Sequence, residues 1–310
     1  MTALSGICPA LVGPTAVGKT DLVLGLTARY PLEVVSLDSR QVYAGLRIGT
    51  AQPTQSEREA CPHHLVDFLP LDQTYSAQQF RDDVLEIIAD IRGRGRIPLL
   101  VGGAGLYLHV LREGLLEIPT DPSALTQVRA EFAVLSDDEA RIRLQVLDPE
   151  SWLRIPPGDG YRTRRALEIE RLTGRTFSEW QREHRARPAG GFSFPSVLLE
   201  RPREELRERI AFRTDRMLET GWIEETRAAL DLWPSDVAAL RTLGYREILR
   251  WLRGEWSRER VRGEIILRTR QYAKRQETWF RHRVHDHVGT PEDASVQEAL
   301  IRLLGRCGTA

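Results

Sequence analysis

A phosphate-binding loop is predicted at Gly13, Pro14, Thr15, Ala16, Val17, Gly18, Lys19 and Thr20, which follow the spacing G-x-x-x-x-G-K-[ST]. In such a loop, backbone N–H groups converge on phosphate oxygens, the Lys19 ammonium adds a positive charge, and the Thr20 hydroxyl can ligate Mg²⁺. The chain has 44 Lys or Arg residues but only two lysines, Lys19 and Lys274. We therefore expect the compact ammonium group of Lys19 to lie between phosphate groups, where a planar guanidinium would not fit. The alternative is a glycine-rich surface turn.

A second group of polar residues follows the apolar run at 34–37, namely Asp38, Ser39, Arg40 and Gln41. The Asp38 carboxylate is expected at a strand end close to the bound phosphates. A nucleotide hydrolase would use such a carboxylate on Mg²⁺, and a transferase could use it as a general base. The alternative is a turn or helix cap formed by the Asp38 side chain.

Two further segments carry basic side chains at helical spacing. Arg162 and Arg165 lie three residues apart and can grip phosphates from one helix face, or they can form ion pairs on a solvated face. Residues 268–281 mix basic, aromatic and amide side chains, which is typical of RNA-binding segments and also of an amphipathic helix that buries its aromatic residues. Between residues 241 and 285, 13 Arg or Lys residues stand against 5 Glu, although the whole chain has a formal net charge of zero.

The elements that must position these residues alternate between strand and helix in the first third of the chain. Strands are predicted at 7–12, 33–37 and 97–101, and helices at 18–30 and 77–92. This pattern predicts an α/β fold with a parallel sheet, in which ligands bind at the carboxyl ends of the strands. Residues 114–191 read as a helical insert, with helical periodicity at 125–147 and at 159–172, so that residues 1–113 and 192–310 form the core. In the second part of the core we expect a strand at 192–200 and helices at 203–220, 223–232, 241–253 and 257–283.

The composition excludes several classes of protein. With 310 residues, 28% charged and 41% hydrophobic, the chain is neither disordered nor membrane-spanning, and no secretion signal is evident. Three widely separated cysteines argue against a disulfide framework. Cys61, His63 and His64 do not make a convincing metal site, because no further Cys or His cluster supplies the remaining ligands. We therefore expect a cytoplasmic protein without a membrane partner.

Several of these segments together resemble the tRNA dimethylallyltransferases, a family of tRNA isopentenyltransferases, in their bacterial form. The motifs that carry the resemblance are GPTAVGKT at 13–20, DSRQVY at 38–43, IGTAQP at 48–53, PHHLVD at 62–67, GGAGLYL at 102–108, DGYRTRRALE at 159–168, GYRE at 244–247 and TRQYAKRQETWFR at 269–281. The resemblance implies an α/β core like that of P-loop NTPases with a helical insert that contacts tRNA. It also implies transfer of a dimethylallyl group from dimethylallyl diphosphate to the N6 amine of the adenosine on the 3′ side of the anticodon.

The resemblance also implies roles for individual residues. Asp38 would be the general base, Lys19 and Thr20 would act on the leaving diphosphate, and Thr20 would ligate the Mg²⁺ cofactor. Contacts with the anticodon stem-loop of tRNA are implied for Asp38, Ser39, Arg40, Gln41, Ala104, Tyr161, Arg162, Arg165, Arg241, Gly244, Tyr245, Arg246, Lys274, Arg275, Gln276, Trp279 and Arg281. We further expect the protein to be a monomer.

Two positions depart from the family pattern. Ala104 stands where a threonine is usual, so a hydroxyl near the reacting groups is absent, and Tyr161 stands where a glutamine is common. Two other functions remain as alternatives. A P-loop kinase for a small metabolite would share the phosphate-binding loop but would not explain the basic segment, and an RNA-binding ATPase would require a carboxylate at the end of another strand.

Overall fold

A computed structural model describes residues 6–116, 118, 121–183 and 189–307. The chain divides into two compact units, one drawn from residues 1–112 and 188–310 and the other from residues 113–187. The helical insert predicted at 114–191 overlaps the second unit. Its second boundary lies earlier than expected, since Ala189 already packs in a core cluster of the first unit.

A parallel sheet forms the centre of the first unit. The strands of this unit are β1 (Gly6–Ile7), β2 (Ala10–Val12), β3 (Leu32–Leu37), β4 (His63–His64), β5 (Ile97–Gly102), β6 (Phe192–Ser193), β7 (Ser196–Leu199) and β8 (His287–Gly289). Six of them form one sheet in the order β4-β3-β5-β2-β7-β8, while β1 and β6 form a separate pair, and all pairings are parallel. Val12 and Leu37 both pair with Gly102. The carboxyl ends of β2, β3 and β5 therefore meet at one edge, as the sequence predicts.

Two predicted strands are each divided by a proline. The run at 7–12 splits into β1 and β2 at Pro9, and the run at 192–200 splits into β6 and β7 at Pro195. Proline has no N–H to donate to a neighbouring strand. The carbonyl groups still pair, since Leu100 donates to Pro9 and Ala10 donates to Pro195.

Helices cover both faces of the sheet and build the second unit. In chain order they are α1 (Lys19–Thr27), α2 (Gln55–Ala60), α3 (Ala77–Gly93), α4 (Gly105–Glu113), α5 (Pro122–Ala133), α6 (Asp137–Leu147), α7 (Pro149–Arg154), α8 (Gly160–Thr173), α9 (Phe177–Glu183), α10 (Arg203–Glu219), α11 (Trp222–Leu232), α12 (Tyr245–Leu252), α13 (Arg258–Arg281) and α14 (Ala294–Gly305). The first helices match the sequence expectations within a few residues. The short elements α2, β4 and β8 and the last helix, α14, are not predicted.

Hydrophobic clusters hold the first unit together. Phe80, Val84 and Ile88 recur every four residues along α3 and pack on one face of the sheet. Leu26 of α1 and Leu300 of α14 belong to the cluster on the other face. A third cluster joins α11, α12 and α13 to residues between β3 and β4. That third cluster places the basic C-terminal helices beside the carboxyl edge of the sheet.

The second unit has its own core, in which Phe132 of α5, Leu144 of α6 and Leu167 of α8 are buried. The helical run predicted from 125 to 147 is broken between α5 and α6, because Ser136 caps α6 through the Glu139 N–H. None of the helices in the described ranges is both long and apolar enough to cross a membrane.

The helix predicted at 241–253 begins later than expected, at Tyr245. Gly244 adopts φ of 91°, a left-handed conformation that side chains disfavour. A β-carbon at Gly244 would also lie 1.9 Å from the Trp222 ring. Residues 241–244 therefore form a turn that packs on α11.

Candidate functional site

The phosphate-binding loop connects β2 to α1 at the carboxyl edge of the sheet. Gly18 precedes the helix with φ of 109°, and α1 begins at Lys19. The Lys19 Nζ donates to the carbonyl oxygens of Gly13 and Pro14, each at 2.9 Å. Burial lowers the pKa of Lys19 to about 7, against the opposing effect of the nearby Asp38 carboxylate. An anion bound in this loop would stabilise the charged form of Lys19.

Three arginines hold three consecutive residues of this loop. Arg213 Nη2 donates to Thr15 Oγ1 at 2.6 Å, Arg209 Nε to the Ala16 carbonyl at 2.8 Å, and Arg201 Nε to the Val17 carbonyl at 2.7 Å. Arg209 and Arg213 are one turn apart on α10, so both face the loop. The sequence reasoning missed all three. The helical spacing of Arg209 and Arg213 was visible, but the sequence does not reveal which element α10 packs against, and Arg201 lies before the helix.

Gln276 of α13 connects this loop to the turn after β5. Its Oε1 accepts the Thr15 N–H at 2.8 Å, and its Nε2 donates to the Gly103 carbonyl at 3.0 Å. Only 6% of Gln276 is exposed. A β-carbon at Gly103 would lie 2.1 Å from Gln276 Nε2, so a side chain there would displace the Gln276 amide. The predicted role of Gln276 in binding tRNA does not fit this buried position, because its amide is occupied within the protein.

Asp38 follows β3 directly. Its Oδ1 accepts the N–H of Arg40 at 2.8 Å and, more weakly, that of Gln41 at 3.4 Å. The side-chain turn considered as an alternative is thus present, and it fixes the carboxylate at the strand end. Both bonds use Oδ1, so Oδ2 receives no hydrogen bond from the part of the chain that the structure describes. Burial raises the pKa of Asp38, which makes its carboxylate a better proton acceptor.

Two cavities of the first unit meet at Asp38. The first, of about 330 Å³, is lined by residues 15–20 of the phosphate-binding loop, and we call it the donor cavity. The second, of about 490 Å³, lies between α10, α11, α13 and the segments at 38–40 and 241–246, and we call it the acceptor cavity. The residues that line both cavities are Thr15, Asp38, Thr50, Ala51 and Arg213. A reactant in one cavity can therefore meet a reactant in the other beside the Asp38 carboxylate.

The acceptor cavity is strongly basic. Its lining contains six arginines, namely Arg40, Arg213, Arg241, Arg246, Arg268 and Arg275. Tyr272 contributes aromatic surface to the same lining, and the buried Trp222 ring packs behind it. Guanidinium groups combined with aromatic rings are typical of sites that bind RNA phosphates and unstacked bases. Of the tRNA contacts predicted from sequence, those at Asp38, Ser39, Arg40, Arg241, Arg246 and Arg275 line this cavity.

Other predicted tRNA contacts lie elsewhere in the first unit. Tyr245 is fully buried and donates its hydroxyl to Glu225 Oε1 at 2.7 Å, so its ring is not available to RNA. Trp279 packs against Gly105 and lies under the Arg283 guanidinium. Trp279 is thus partly buried, as the amphipathic alternative for residues 268–281 anticipated.

The remaining predicted residues of the first unit occupy different surroundings. Gln41 lines the donor cavity, and its Nε2 donates to the Ala51 carbonyl. Ala104 packs against the core cluster that contains Phe80. Lys274 lies in a groove between α10 and α13, and Arg281 lies beside Arg201.

In the second unit, Asp159 caps α8 by accepting the Arg162 N–H at 3.1 Å. Tyr161 is 79% exposed on the first turn of this helix. Arg162 pairs with Asp159 at 3.4 Å, and Arg165 bonds to Glu168 at 2.9 Å. Arg165 is thus engaged in the ion pair that the alternative interpretation anticipated.

The residues Cys61, His63 and His64 have structural partners. Cys61 Sγ approaches the Leu32 carbonyl, His63 Nδ1 bonds to the Cys61 carbonyl, and His64 pairs with Glu33. Across the described ranges, no group of three or more His, Cys, Asp or Glu side chains could hold a metal ion. Mg²⁺ does not require such a group, because it usually takes one or two protein oxygens and completes its shell with phosphates and water. The Thr20 hydroxyl lines the donor cavity and fits that donor set.

Comparison with known proteins gives a consistent result. The model of the family described as "IPP transferase" matches residues 41–283. A tRNA dimethylallyltransferase from Alkalilimnicola ehrlichii is 44% identical over 278 residues, which cover 87% of this chain and 86% of that protein. One from Thermotoga neapolitana is 40% identical over 271 residues, covering 87% of each chain.

Solved structures with the same fold include a tRNA delta(2)-isopentenylpyrophosphate transferase from Staphylococcus epidermidis. It is 29% identical, covers 97% of this chain and 100% of its own, and has a TM-score of 0.68. A eukaryotic dimethylallyltransferase described as acting on tRNA is also 29% identical, covers 89% of this chain and 70% of its own, and has a TM-score of 0.74.

Proposed function

The chain belongs to the IPP transferase family, and from this premise we propose that it transfers a dimethylallyl group from dimethylallyl diphosphate to the N6 amine of the adenosine on the 3′ side of the anticodon in tRNA. The observation that carries the proposal is the position of Asp38 in the lining of both cavities. One cavity offers a phosphate-binding loop, and the other offers arginines and aromatic rings. A small-molecule kinase has no need of the second cavity, and the relatives give that alternative no support.

In the donor cavity, the diphosphate would lie against the loop amides and the Lys19 ammonium. Arg213 lines this cavity and already touches the loop at Thr15, so it adds a further positive charge. Bond cleavage leaves the electron pair on the diphosphate oxygen, and these fixed cationic groups stabilise the negative charge that develops there. The Thr20 hydroxyl would hold Mg²⁺, which would further neutralise the diphosphate charge.

In the acceptor cavity, the arginines would bind RNA phosphates while an unstacked adenine reaches Asp38. Unstacking a base costs a few kcal/mol, which phosphate contacts and stacking must offset. The N6 nitrogen attacks C1 of the donor, the C1–O bond breaks, and the proton lost from the nitrogen passes to the Asp38 carboxylate. The turn that fixes Oδ1 leaves Oδ2 as the acceptor of that proton.

The second unit would supply additional tRNA contacts. Tyr161 and Arg162 lie on the exposed first turn of α8, where an aromatic ring and a guanidinium can contact a ribose-phosphate backbone. The monomeric state and the cytoplasmic location stay predictions from the sequence.

The test is a transfer assay. The purified protein is incubated with an unmodified tRNA transcript, Mg²⁺ and dimethylallyl diphosphate, and the RNA is digested and analysed by mass spectrometry. We expect prenylated adenosine at the position 3′ of the anticodon, with no ATP requirement. A transcript in which that adenosine is replaced by guanosine is the matched control. Absence of the product from a folded protein that binds RNA, together with ATP turnover, would contradict the proposal.

A further inference from the structure

The loop at residues 48–51 forms part of the boundary between the two cavities. Thr50 and Ala51 line both cavities, and Gly49 lines the acceptor cavity. Ala51 has φ of 53°, which a residue with a side chain adopts only when its surroundings impose it. The loop must therefore be held by contacts with other elements.

One of these contacts is the Glu225 carboxylate of α11. Its Oε2 accepts the Ile48 N–H at 2.7 Å, and its Oε1 accepts the Gly49 N–H at 3.0 Å and the Tyr245 hydroxyl at 2.7 Å. Both carboxylate oxygens are thus used to bind the start of the loop. Burial raises the pKa of Tyr245, so its hydroxyl remains a hydrogen-bond donor.

Trp222, one turn before Glu225 on α11, acts on the same loop by packing. A β-carbon at Gly49 would lie 2.0 Å from Trp222 Nε1, and one at Gly244 would lie 1.9 Å from Trp222 Cζ2. The indole is thus enclosed between the loop and the turn that leads into α12. Both segments border the acceptor cavity, so one face of α11 supports two of its walls.

We propose that Glu225 is a positioning residue for the transfer reaction, which holds the 48–51 loop so that an acceptor base is aligned with Asp38. This inference rests on the proposed function. Glu225 lines neither cavity, so it acts through the loop. Diphosphate binding should be independent of it, because the phosphate-binding loop is held by other residues, namely Arg201, Arg209, Arg213 and Gln276.

The decisive variant is Glu225→Gln. A glutamine has one acceptor oxygen, so its NH₂ group would face one of the loop N–H donors. The start of the loop would then shift away from α11. A displacement of about 1 Å in the reacting geometry can cost up to about 100-fold in rate. We therefore expect kcat for tRNA to fall by about 10- to 100-fold, with little change in the KM for tRNA, which the arginines dominate.

Three measurements separate positioning from general damage. The first is kcat and KM with tRNA, the second is the dissociation constant of inorganic pyrophosphate with Mg²⁺, and the third is the melting temperature. The matched control is Glu224→Gln, since Glu224 is exposed and lies next to Glu225. We expect the control to match the wild type in all three measurements, and Glu225→Gln to keep its pyrophosphate affinity.

Two results would overturn the inference. One is a kcat of Glu225→Gln within twofold of the wild type, and the other is a loss of pyrophosphate affinity in parallel with kcat. If Glu225→Gln does not fold, Tyr245→Phe is used instead, because it removes the hydroxyl that donates to the Glu225 carboxylate. This variant should show a modest fall in kcat with its pyrophosphate affinity intact. An unchanged kcat would reject the inference. If wild type and Glu224→Gln also fail to prenylate tRNA, the proposed function itself is wrong.

Discussion

The Gln276 side chain accepts the Thr15 N–H at 2.8 Å, which joins the helix that borders the acceptor cavity to the phosphate-binding loop. The same amide donates to Gly103 on the turn after β5. A single side chain therefore sets the separation of three segments at the carboxyl edge of the sheet. Gln276 is almost fully buried, and the Thr15 N–H depends on it for a hydrogen bond, whereas the Gly103 carbonyl also accepts the Gly105 N–H at 3.1 Å.

Replacing Gln276 by leucine should destabilise the protein and weaken diphosphate binding. The substitution leaves the Thr15 N–H unpaired, at about 1–3 kcal/mol for a buried group, while the Gly103 carbonyl keeps the bond from the Gly105 N–H. Denaturant unfolding and calorimetric titration with pyrophosphate would measure the two effects. Gln271→Leu, an exposed position on the same helix, is the control and should leave both quantities nearly unchanged. Equal effects of the two substitutions would show that the bridging bonds are unimportant.

Replacing Asp38 by asparagine should abolish transfer while preserving the local turn. The asparagine Oδ1 can still accept the Arg40 N–H, but the side chain cannot accept a proton. We expect the single-turnover rate to fall by at least about 100-fold, with tRNA affinity retained. In the wild type, the rate should fall on the acid side with an apparent pKa above 3.8, since burial raises the pKa of Asp38. A variant that keeps more than a tenth of the wild-type rate would remove Asp38 from the proton transfer.

Diphosphate binding should be accompanied by proton uptake at Lys19. Its pKa of about 7 in the free protein rises when an anion lies beside it, so binding favours the protonated form. Above pH 7 the free protein must first gain that proton, and pyrophosphate affinity should fall by about tenfold per pH unit. Titration calorimetry in buffers of different ionisation enthalpy measures the uptake. Lys19→Met is the control: it should bind pyrophosphate more weakly, but it has no ammonium to titrate, while pyrophosphate's own titration affects both proteins equally. The same pH dependence in both proteins would contradict this assignment.

Stability in acid should depend on Glu33, which lies 1% exposed on β3 at the edge of the sheet away from the site. Its carboxylate pairs with Arg94 at 2.5 Å and with His64 at 2.7 Å, and the hydrogen bond from Arg94 is the main reason that its pKa is lowered to about 2. A folded-state pKa below the unfolded value of 4.5 gives stability that is present above pH 4.5 and lost as the pH falls toward 2.

Glu33→Gln should therefore lower the free energy of unfolding by roughly 2–3 kcal/mol at pH 7 and flatten its dependence on pH in the acid range. Chemical unfolding at a series of pH values measures both. Asp90→Asn removes an exposed partner of the same Arg94 and should cost much less, since exposed pairs contribute about 0–1 kcal/mol. If the free energy of unfolding of Glu33→Gln still falls steeply with acid, other carboxylates cause the pH dependence.

The sequence was sufficient where local pattern determines structure. The spacing around Lys19 predicts the loop and the helix that follows it, and the apolar run before Asp38 predicts its position at a strand end. The parallel sheet follows from the alternation of strands and helices. The family was also identifiable, because its motifs are spread along the chain in a fixed order.

Contacts between distant elements could not be predicted in this way. Arg201, Arg209, Arg213 and Gln276 touch the phosphate-binding loop across separations of 184 residues or more, and nothing local marks them. The GYRE motif was assigned to RNA binding, yet its Tyr245 is buried against Glu225. Motif matching finds the segment, but only the packing of α11 and α12 shows which side chains of that segment point inward.

The unusual environment of Lys19 also makes it a site for selective chemical modification. An ammonium with a pKa of about 7 is largely an uncharged amine at pH 8, and the uncharged amine is the form that reacts with acylating reagents. With Lys274 as the only other lysine in the chain, few products could form. A bound diphosphate should block acylation of Lys19. The extent of acylation, measured by peptide mass mapping, would then report whether the donor cavity is occupied without any assay of turnover.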